Sequence, residues 1–337
     1  MSAPGNGSVL HVTNGDAAVA ALRAGGITGP MLPWRDVLHD GPVPAGLTLP
    51  QLSDVRARFI AGEGWGAVEE VAAGFRERDA TLSAFDRHSE VVLWFEHDLY
   101  DQLQLIQALD FLHAQPAAAG TRLSLVNPAE YLGMAAPDRI AQLFRERRPV
   151  TAAQLAAGAA AWAAFRSPDP RAIEAAIEGD AGDLPHLAAA LRRHTRQFPS
   201  VRNGLSLSEQ YALEAIDAGA TVVKDAYVAA HHHREDPFWM GDSTFVAQLV
   251  DLAGGPHPLV AWADGTPITQ ADDNADVISR AVALTDAGRD VMHGRADRVR
   301  LNGIDRWLGG VHLDGDHARW RWDEAAGRIT GPLTPPT

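Results

Sequence analysis

Residues 90–113 read Glu90-Val91-Val92-Leu93-Trp94-Phe95-Glu96-His97-Asp98-Leu99-Tyr100-Asp101-Gln102-Leu103-Gln104-Leu105-Ile106-Gln107-Ala108-Leu109-Asp110-Phe111-Leu112-His113. The apolar run 91–95 shows no alternation, which predicts a strand buried on both faces of a parallel sheet. It breaks abruptly into Glu96, His97 and Asp98. From Leu99 onward, Leu99, Leu103, Ile106, Leu109 and Leu112 recur at helical spacing, with Gln102, Gln104, Gln107 and Asp110 largely off that stripe. Asp98 and Asp101 have the spacing of a helix-capping pair. A strand thus delivers two acids and a histidine to the mouth of a sheet, and a helix follows.

Working outward, residues 8–12 read as a short buried strand. Thr13-Asn14-Gly15-Asp16 turns into a helix over 17–24, with Asp16 placed as its N-cap. The N–H groups there suit an anion, but one glycine is no dinucleotide fingerprint and Asp16 repels phosphate; plain capping is the alternative. Residues 30–34 are a second extended run. They lead into Arg35-Asp36-Val37-Leu38-His39-Asp40-Gly41-Pro42, a titratable loop closed by a Gly-Pro turn. Two helices spanning 52–85 break at 62–66, and a further strand over 121–126 ends at Asn127-Pro128. Strands alternating with helices over 8–130 predict an α/β domain with a doubly wound, mostly parallel sheet. Ligands of such sheets bind beyond the carboxyl ends of the strands. Asp16, Arg35, Asp36, His39, Asp40, Glu96, His97 and Asn127 all fall there.

Composition narrows the chemistry. The 337 residues are 46% hydrophobic and 21% charged, with a formal charge of −14 and no cysteine. That excludes thiolate nucleophiles, Fe–S clusters and Cys-type zinc sites. The acidic balance disfavours nucleic acid and anionic membrane as partners, and no apolar run has transmembrane length. Residues 1–8 lack a basic leader pattern, so the expectation is a cytoplasmic chain. Lys224 is the only lysine, so no P-loop is present. Pyridoxal phosphate chemistry would depend on Lys224 alone, in a polar helical stretch, and is not expected.

Beyond residue 135 the pattern changes. Residues 136–203 are helical and alanine-rich, with His186, Arg192, Arg193, His194 and Arg196 along one helix. Residues 204–337 open with helices over 208–218, 222–230 and 243–252, followed by extended runs at 258–262 and 282–288. Three helices and a β-pair are the winged-helix order, although the third helix has no Arg, Lys, Asn or His with which to touch phosphates. A β tail carries Asp305, Arg306 and His312 beside Gly309-Gly310, a second polar cluster suited to a ligand or to a packed hairpin. The expected division is therefore an α/β domain (1–135), a helical linker domain (136–203) and a winged-helix-like domain with a β-hairpin tail (204–337).

Three blocks, residues 10–16, 34–42 and 93–102, together with 237–242 and 301–313, resemble an uncharacterised bacterial family catalogued as a domain of unknown function. The resemblance spans nearly the whole chain and implies the two-part architecture, without an activity.

The residues themselves point to an enzyme, a hydrolase or group transferase on a small polar, phosphorylated or nucleotide-like substrate. His39, His97, Glu96 and Asp36 are the candidate acids and bases. Asn14, Asp16, Arg35, Asp40, Asn127, Asp305, Arg306 and His312 are the candidate substrate contacts. No residue is assigned as a metal ligand outright, but Mg²⁺ or Mn²⁺ on Glu96, Asp98 and either Asp16 or Asp36 is compatible with the chemistry of carboxylate oxygens. The alternatives are a ligand-sensing regulator, or a protein-binding scaffold in which the strand-end acids are only caps and surface pairs.

Overall fold

The computed structural model describes residues 7–115, 120–269 and 277–331. Residues 1–6, part of the segment inspected for a leader, lie outside them. The chain forms two compact units, Met1–Leu191 with Gly309–Val311, and Arg192–Leu308 with His312–Thr337. The helical segment after residue 135 therefore lies with the sheet as far as Leu191, rather than apart from it.

In the first unit the order is β1 (Val9–Thr13), α1 (Asp16–Ala24), β2 (Met31–Pro33), β3 (Gly41–Pro42), α2 (Leu49–Gly62), α3 (Val68–Ser83), β4 (Glu90–Trp94), α4 (Leu99–His113), β5 (Arg122–Val126), α5 (Pro137–Glu146), β6 (Arg148–Pro149), α6 (Ala152–Phe165), α7 (Arg171–Glu178) and the first part of α8 (Leu187–Thr195), whose residues from Arg192 on belong to the second. A five-stranded sheet runs β2-β1-β4-β5-β6, parallel except for the short edge strand β6. Thr13 lies opposite Trp94, and Trp94 opposite Val126. Asn14, Phe95 and Asn127 therefore leave the sheet at one level. After β1 the chain adds β2 on one side, and it later adds β4 on the other. The crevice beyond β1 and β4 is thus a topological switch point.

The whole of β4 is buried, as the unbroken apolar run required. Val92 and Trp94 join Ala18, Leu22, Val126 and Ile140 in one core cluster, and alternation turns Val91 and Leu93 to the opposite face. Helix α4 departs from the amphipathic expectation. Gln102, Gln104 and Gln107 are as buried as the leucines between them. Gln107 Oε1 accepts from Trp34 Nε1 at 2.8 Å, Gln104 Nε2 donates to the Asp36 carbonyl at 2.8 Å, and Gln102 Nε2 donates to the Glu96 carbonyl at 2.5 Å. The helix is enclosed, and its amides hold the flanking loops. Gly158 of α6 allows the close approach, since a Cβ there would stand 2.5 Å from Leu109 Cβ.

The second unit contains α9 (Leu207–Asp217), α10 (Val223–Tyr227), a π-helical turn Val228–His232, α11 (Asp242–Ala253), β7 (Val260–Trp262), β8 (Val282–Leu284), α12 (Asp286–Met292), α13 (Arg298–Asn302), β9 (Ile304–Gly309), β10 (Val311–Gly315), β11 (Arg321–Asp323) and β12 (Arg328–Thr330). Strands β7 and β8 pair antiparallel. The extended run expected over 282–288 stops at Leu284, because Thr285 Oγ1 accepts from Gly288 N–H and starts α12. Among the described residues, no helix is long and apolar enough to cross a membrane.

The Gly309-Gly310 pair has a packing cause. Gly310 N–H donates to the Phe165 carbonyl and Val43 N–H to the Gly309 carbonyl. A Cβ on Gly310 would stand 1.8 Å from the Arg166 carbonyl oxygen. Gly310→Ala should lower stability in urea titrations by about 2–3 kcal/mol, an overpacking cost. Gly74→Ala, in the exposed middle of α3 with nothing within 4 Å, should instead raise it by about 0.5–1 kcal/mol through helix propensity.

Candidate functional site

The crevice at the ends of β1, β4 and β5 is built by side chains from four segments. Asp98 caps α4, its Oδ1 accepting from Asp101 N–H at 3.0 Å. Asp101, one turn in, faces back to the strand ends. Its Oδ1 accepts from Glu96 N–H at 2.6 Å and its Oδ2 from Asn14 Nδ2 at 2.8 Å. Glu96 Oε1 accepts from Leu132 N–H at 2.7 Å. The Glu96 carbonyl accepts from Gln102 and, at 3.1 Å, from Asn127 Nδ2, which also donates to the Phe95 carbonyl at 2.7 Å. One oxygen from each of Glu96, Asp98 and Asp101 lies within 4.8 Å of the others. All three side chains are buried.

The charge environment here is unlike that of the other buried acids. Asp36 is paired with Arg56, Asp79 with Arg78, Glu90 with Arg122 and Arg147, and Glu209 with Arg306. Burial alone would push Glu209 up, but Arg306 and Arg298 outweigh it and hold the carboxyl at about 2. Among the described residues, no arginine or lysine pairs with Glu96, Asp98 or Asp101. Burial, and then the Asp101 charge, push Glu96 up to about 8. Burial pushes Asp101 up to about 7 against the hydrogen bonds from Glu96 N–H and Asn14. Asp98 is raised well above its ordinary value by burial and by Asp101. Three such groups cannot all ionise together without a compensating proton or cation.

His97, between Glu96 and Asp98 in the chain, is half-buried, its ring 5.1 Å from that of Tyr131 and 5.8 Å from that of His186. A groove of about 1190 Å³ begins at Asn127 and Pro128 and is also lined by Arg139, Arg147 and Arg148. Asn127 is the link, lining the groove while its amide holds the Glu96 carbonyl.

Sequence placed Glu96, His97 and Asn127 just past the strand ends and named Asn14 a substrate contact; the structure joins Asn14, Glu96 and Asn127 through Asp101 and the Glu96 carbonyl, while the His97 ring lies against Tyr131 and His186. The loop 35–40 behaves otherwise. Arg35 adopts a left-handed φ of 52° and forms an exposed two-bond pair with Asp16 at 2.6 and 2.9 Å. Asp16 is not the N-cap of α1; extended Gly15 is. Asp36 is fully buried, 2.9 Å from Arg56 Nε and 3.8 Å from Arg78. Arg56 also donates to the Val37 and Asp40 carbonyls, so this ion pair ties the loop to α2. Asp40 Oδ1 accepts from Gly41 N–H. His39 is buried edge-on against Tyr100 at 5.8 Å. Burial raises the Tyr100 hydroxyl, and Asp101, Asp36 and Asp98 add to the effect, so the two loops meet around its ring. Neither Asp16 nor Asp36 joins the carboxylate cluster; the third member is Asp101, which capping spacing alone had accounted for.

In the second unit, Arg306 is bound by Glu209 and Asp251 at 2.5 and 2.6 Å. His312 stacks on Trp307 at 4.6 Å and contacts Asp305 at 2.7 Å, both exposed. Arg306 is thus held in an ion-pair network, and His312 with Asp305 forms a surface pair on a hairpin. No protein family and no curated protein matches the chain.

Removing Asp36 leaves Arg56 buried and unpaired, so Asp36→Ala should cost about 3–5 kcal/mol, whereas Arg35→Ala should cost less than about 1 kcal/mol; equilibrium urea unfolding checks both. A pH series tests the cluster. Unfolded Glu96 ionises near 4.5 and the folded group near 8. Folding therefore takes up a proton in that interval, and the stability present below the lower value is lost as pH rises through the upper one. Buried His194 and His231, lowered to about 3 by burial, give the opposite slope, but they cancel when a variant is compared with wild type. With divalent ions chelated, Glu96→Gln should gain on wild type by at least about 1 kcal/mol between roughly pH 5 and pH 8. A pH-independent difference contradicts the assigned protonation.

Proposed function

We propose that the crevice beyond β1, β4 and β5 is the active site of a hydrolase or group transferase acting on a small polar, phosphorylated or nucleotide-like substrate. The observation that carries this is the cluster of Glu96, Asp98 and Asp101, which has no arginine partner among the described residues, whereas the other buried carboxylates among them are matched by arginine. A carboxyl that titrates near neutrality suits general acid–base work, because it can both give and recover a proton at working pH. Glu96 is that group, and His97 beside it is the second proton carrier. Asp36 and His39 support the loop that packs on α4. The Asn127 groove offers room for a substrate, and exposed Arg148 on its wall suits a phosphate.

The same surroundings favour Mg²⁺ or Mn²⁺ at the cluster. Gln102 Oε1 and Asn127 Oδ1 are buried acceptors without a donor, while their amide nitrogens are anchored on the Glu96 carbonyl. Carboxylate and amide oxygens are the donors hard divalent ions take, and such an ion supplies charge neutralisation and an activated water. Membership of the family resembled by residues 10–16, 34–42 and 93–102 is likewise a proposal resting on those blocks.

A second reading is a regulator or scaffold built on a winged-helix-like second unit. It is favoured by the order α9, α10, α11 followed by the antiparallel pair β7–β8. Helix α11 carries no Arg, Lys, His or Asn, so its partner is a protein rather than nucleic acid.

Melting curves with Mn²⁺ and Mg²⁺ should show stabilisation of wild type that Asp98→Asn lacks. Turnover of phosphomonoester, phosphodiester and nucleotide panels should then fall about 10²–10⁴-fold in Glu96→Gln. Wild-type protein that responds to neither ion and turns over no member of the panels ends the enzyme reading. Salt-sensitive DNA binding would revive the regulatory one.

A further inference from the structure

The second unit holds a cavity of about 210 Å³ whose walls include Arg196, Phe198, Leu207, Gln210, Tyr211 and Trp322. Arg196 is the exceptional residue. Four other buried or half-buried arginines of this unit are matched by acids, Arg193 by Glu235, Arg298 by Asp251, Arg306 by Glu209 and Arg321 by Asp297, and half-buried Arg280 donates to Thr266. Among the described residues, the half-buried Arg196 guanidinium makes no hydrogen bond or ion pair, and its Nε is shielded from solvent without an acceptor. Its central carbon lies 5.0 Å from the centre of the Trp322 ring. Trp322 Nε1 is also buried without an acceptor. Two donors left unmatched beside one cavity are costly unless something accepts from them.

Nearby acids do not fill that role. Glu214 on the wall is already bound by Arg234 and by Gln210 Nε2, and Glu324 is exposed at the rim. Arg202, donating to the Met292 carbonyl, adds a second positive charge to the lining. Phe198, Leu207 and Tyr211 supply apolar surface. We infer that this cavity binds a small organic oxyanion, with its head on the outer nitrogens of the Arg196 guanidinium, beside the Trp322 ring, and a flat apolar body against the aromatic wall. Guanidinium suits such a head because its planar fork offers two donors to one carboxylate or phosphate.

Indole N–H resonances of the ¹⁵N-labelled full chain test this directly, because Trp322→Phe identifies the Trp322 signal among the nine tryptophans. Benzoate and phenyl phosphate are the probes, and which of them binds tighter decides between a carboxylate and a phosphate head. Either should shift the Trp322 signal saturably, while neutral benzamide should not. Arg196→Gln should weaken binding by about 10- to 100-fold, and Arg196→Lys, which keeps the charge but not the fork, should also weaken it. An unmoved Trp322 signal, equal binding of benzamide, or undiminished affinity in both Arg196 variants would overturn the assignment. Inorganic phosphate binding as tightly as phenyl phosphate would overturn its apolar half.

Discussion

Helix α4 lacks a solvent face over most of its length, and that constraint organises the first unit. A polar group buried without a partner costs on the order of 1–3 kcal/mol, so the amides and carboxylates of α4 draw partners from other parts of the chain, with Gln102 Oε1 left over. Gln107 is met by Trp34, Gln104 by the Asp36 carbonyl, Gln102 by the Glu96 carbonyl and Asp101 by Asn14. The loops after β1, β2 and β4 are thereby fixed to one helix. The carboxylates at the switch point are held by the same requirement.

Buried acids in this protein fall into two electrostatic kinds. Those paired with arginine are stabilised as anions by a fork that stays charged at any working pH. Asp36 with Arg56 and Glu90 with Arg147 serve architecture in this way. Glu96, Asp98 and Asp101 instead receive only backbone and amide donors, which soften their repulsion without cancelling it. Local departures from good electrostatic matching are where folded proteins keep their chemistry. The two regimes meet around Tyr100, whose hydroxyl feels Asp36 on one side of this division and Asp98 and Asp101 on the other.

Much of this was legible in the sequence where the signal was local. The unalternated run before Glu96, the cap at Asp98 and the break between α2 and α3 depend on neighbours a few residues apart. What stayed hidden depended on distant partners. Asp101 has ordinary capping spacing, and only Asn14, far back in the chain, shows its second role. The glutamines of α4 read as a polar face because periodicity alone cannot show that a helix is covered all round. Arg35 and Asp36 are adjacent yet end up on the surface and in the core. Arg306 read as a ligand contact because Glu209, its partner, lies far away in sequence.

The Gly309–Val311 segment belongs to the first unit although it comes near the end of the chain. Its contacts reach Val43 and Phe165, so they are among the longest loop closures in the protein. During synthesis, residues 1–191 leave the ribosome before these three do. Domains fold as units as the chain appears, but this one lacks one of its segments until residues 192–308 have been made. The Phe165 carbonyl and the Val43 N–H meet their partners only then, and both partners belong to a pair of glycines.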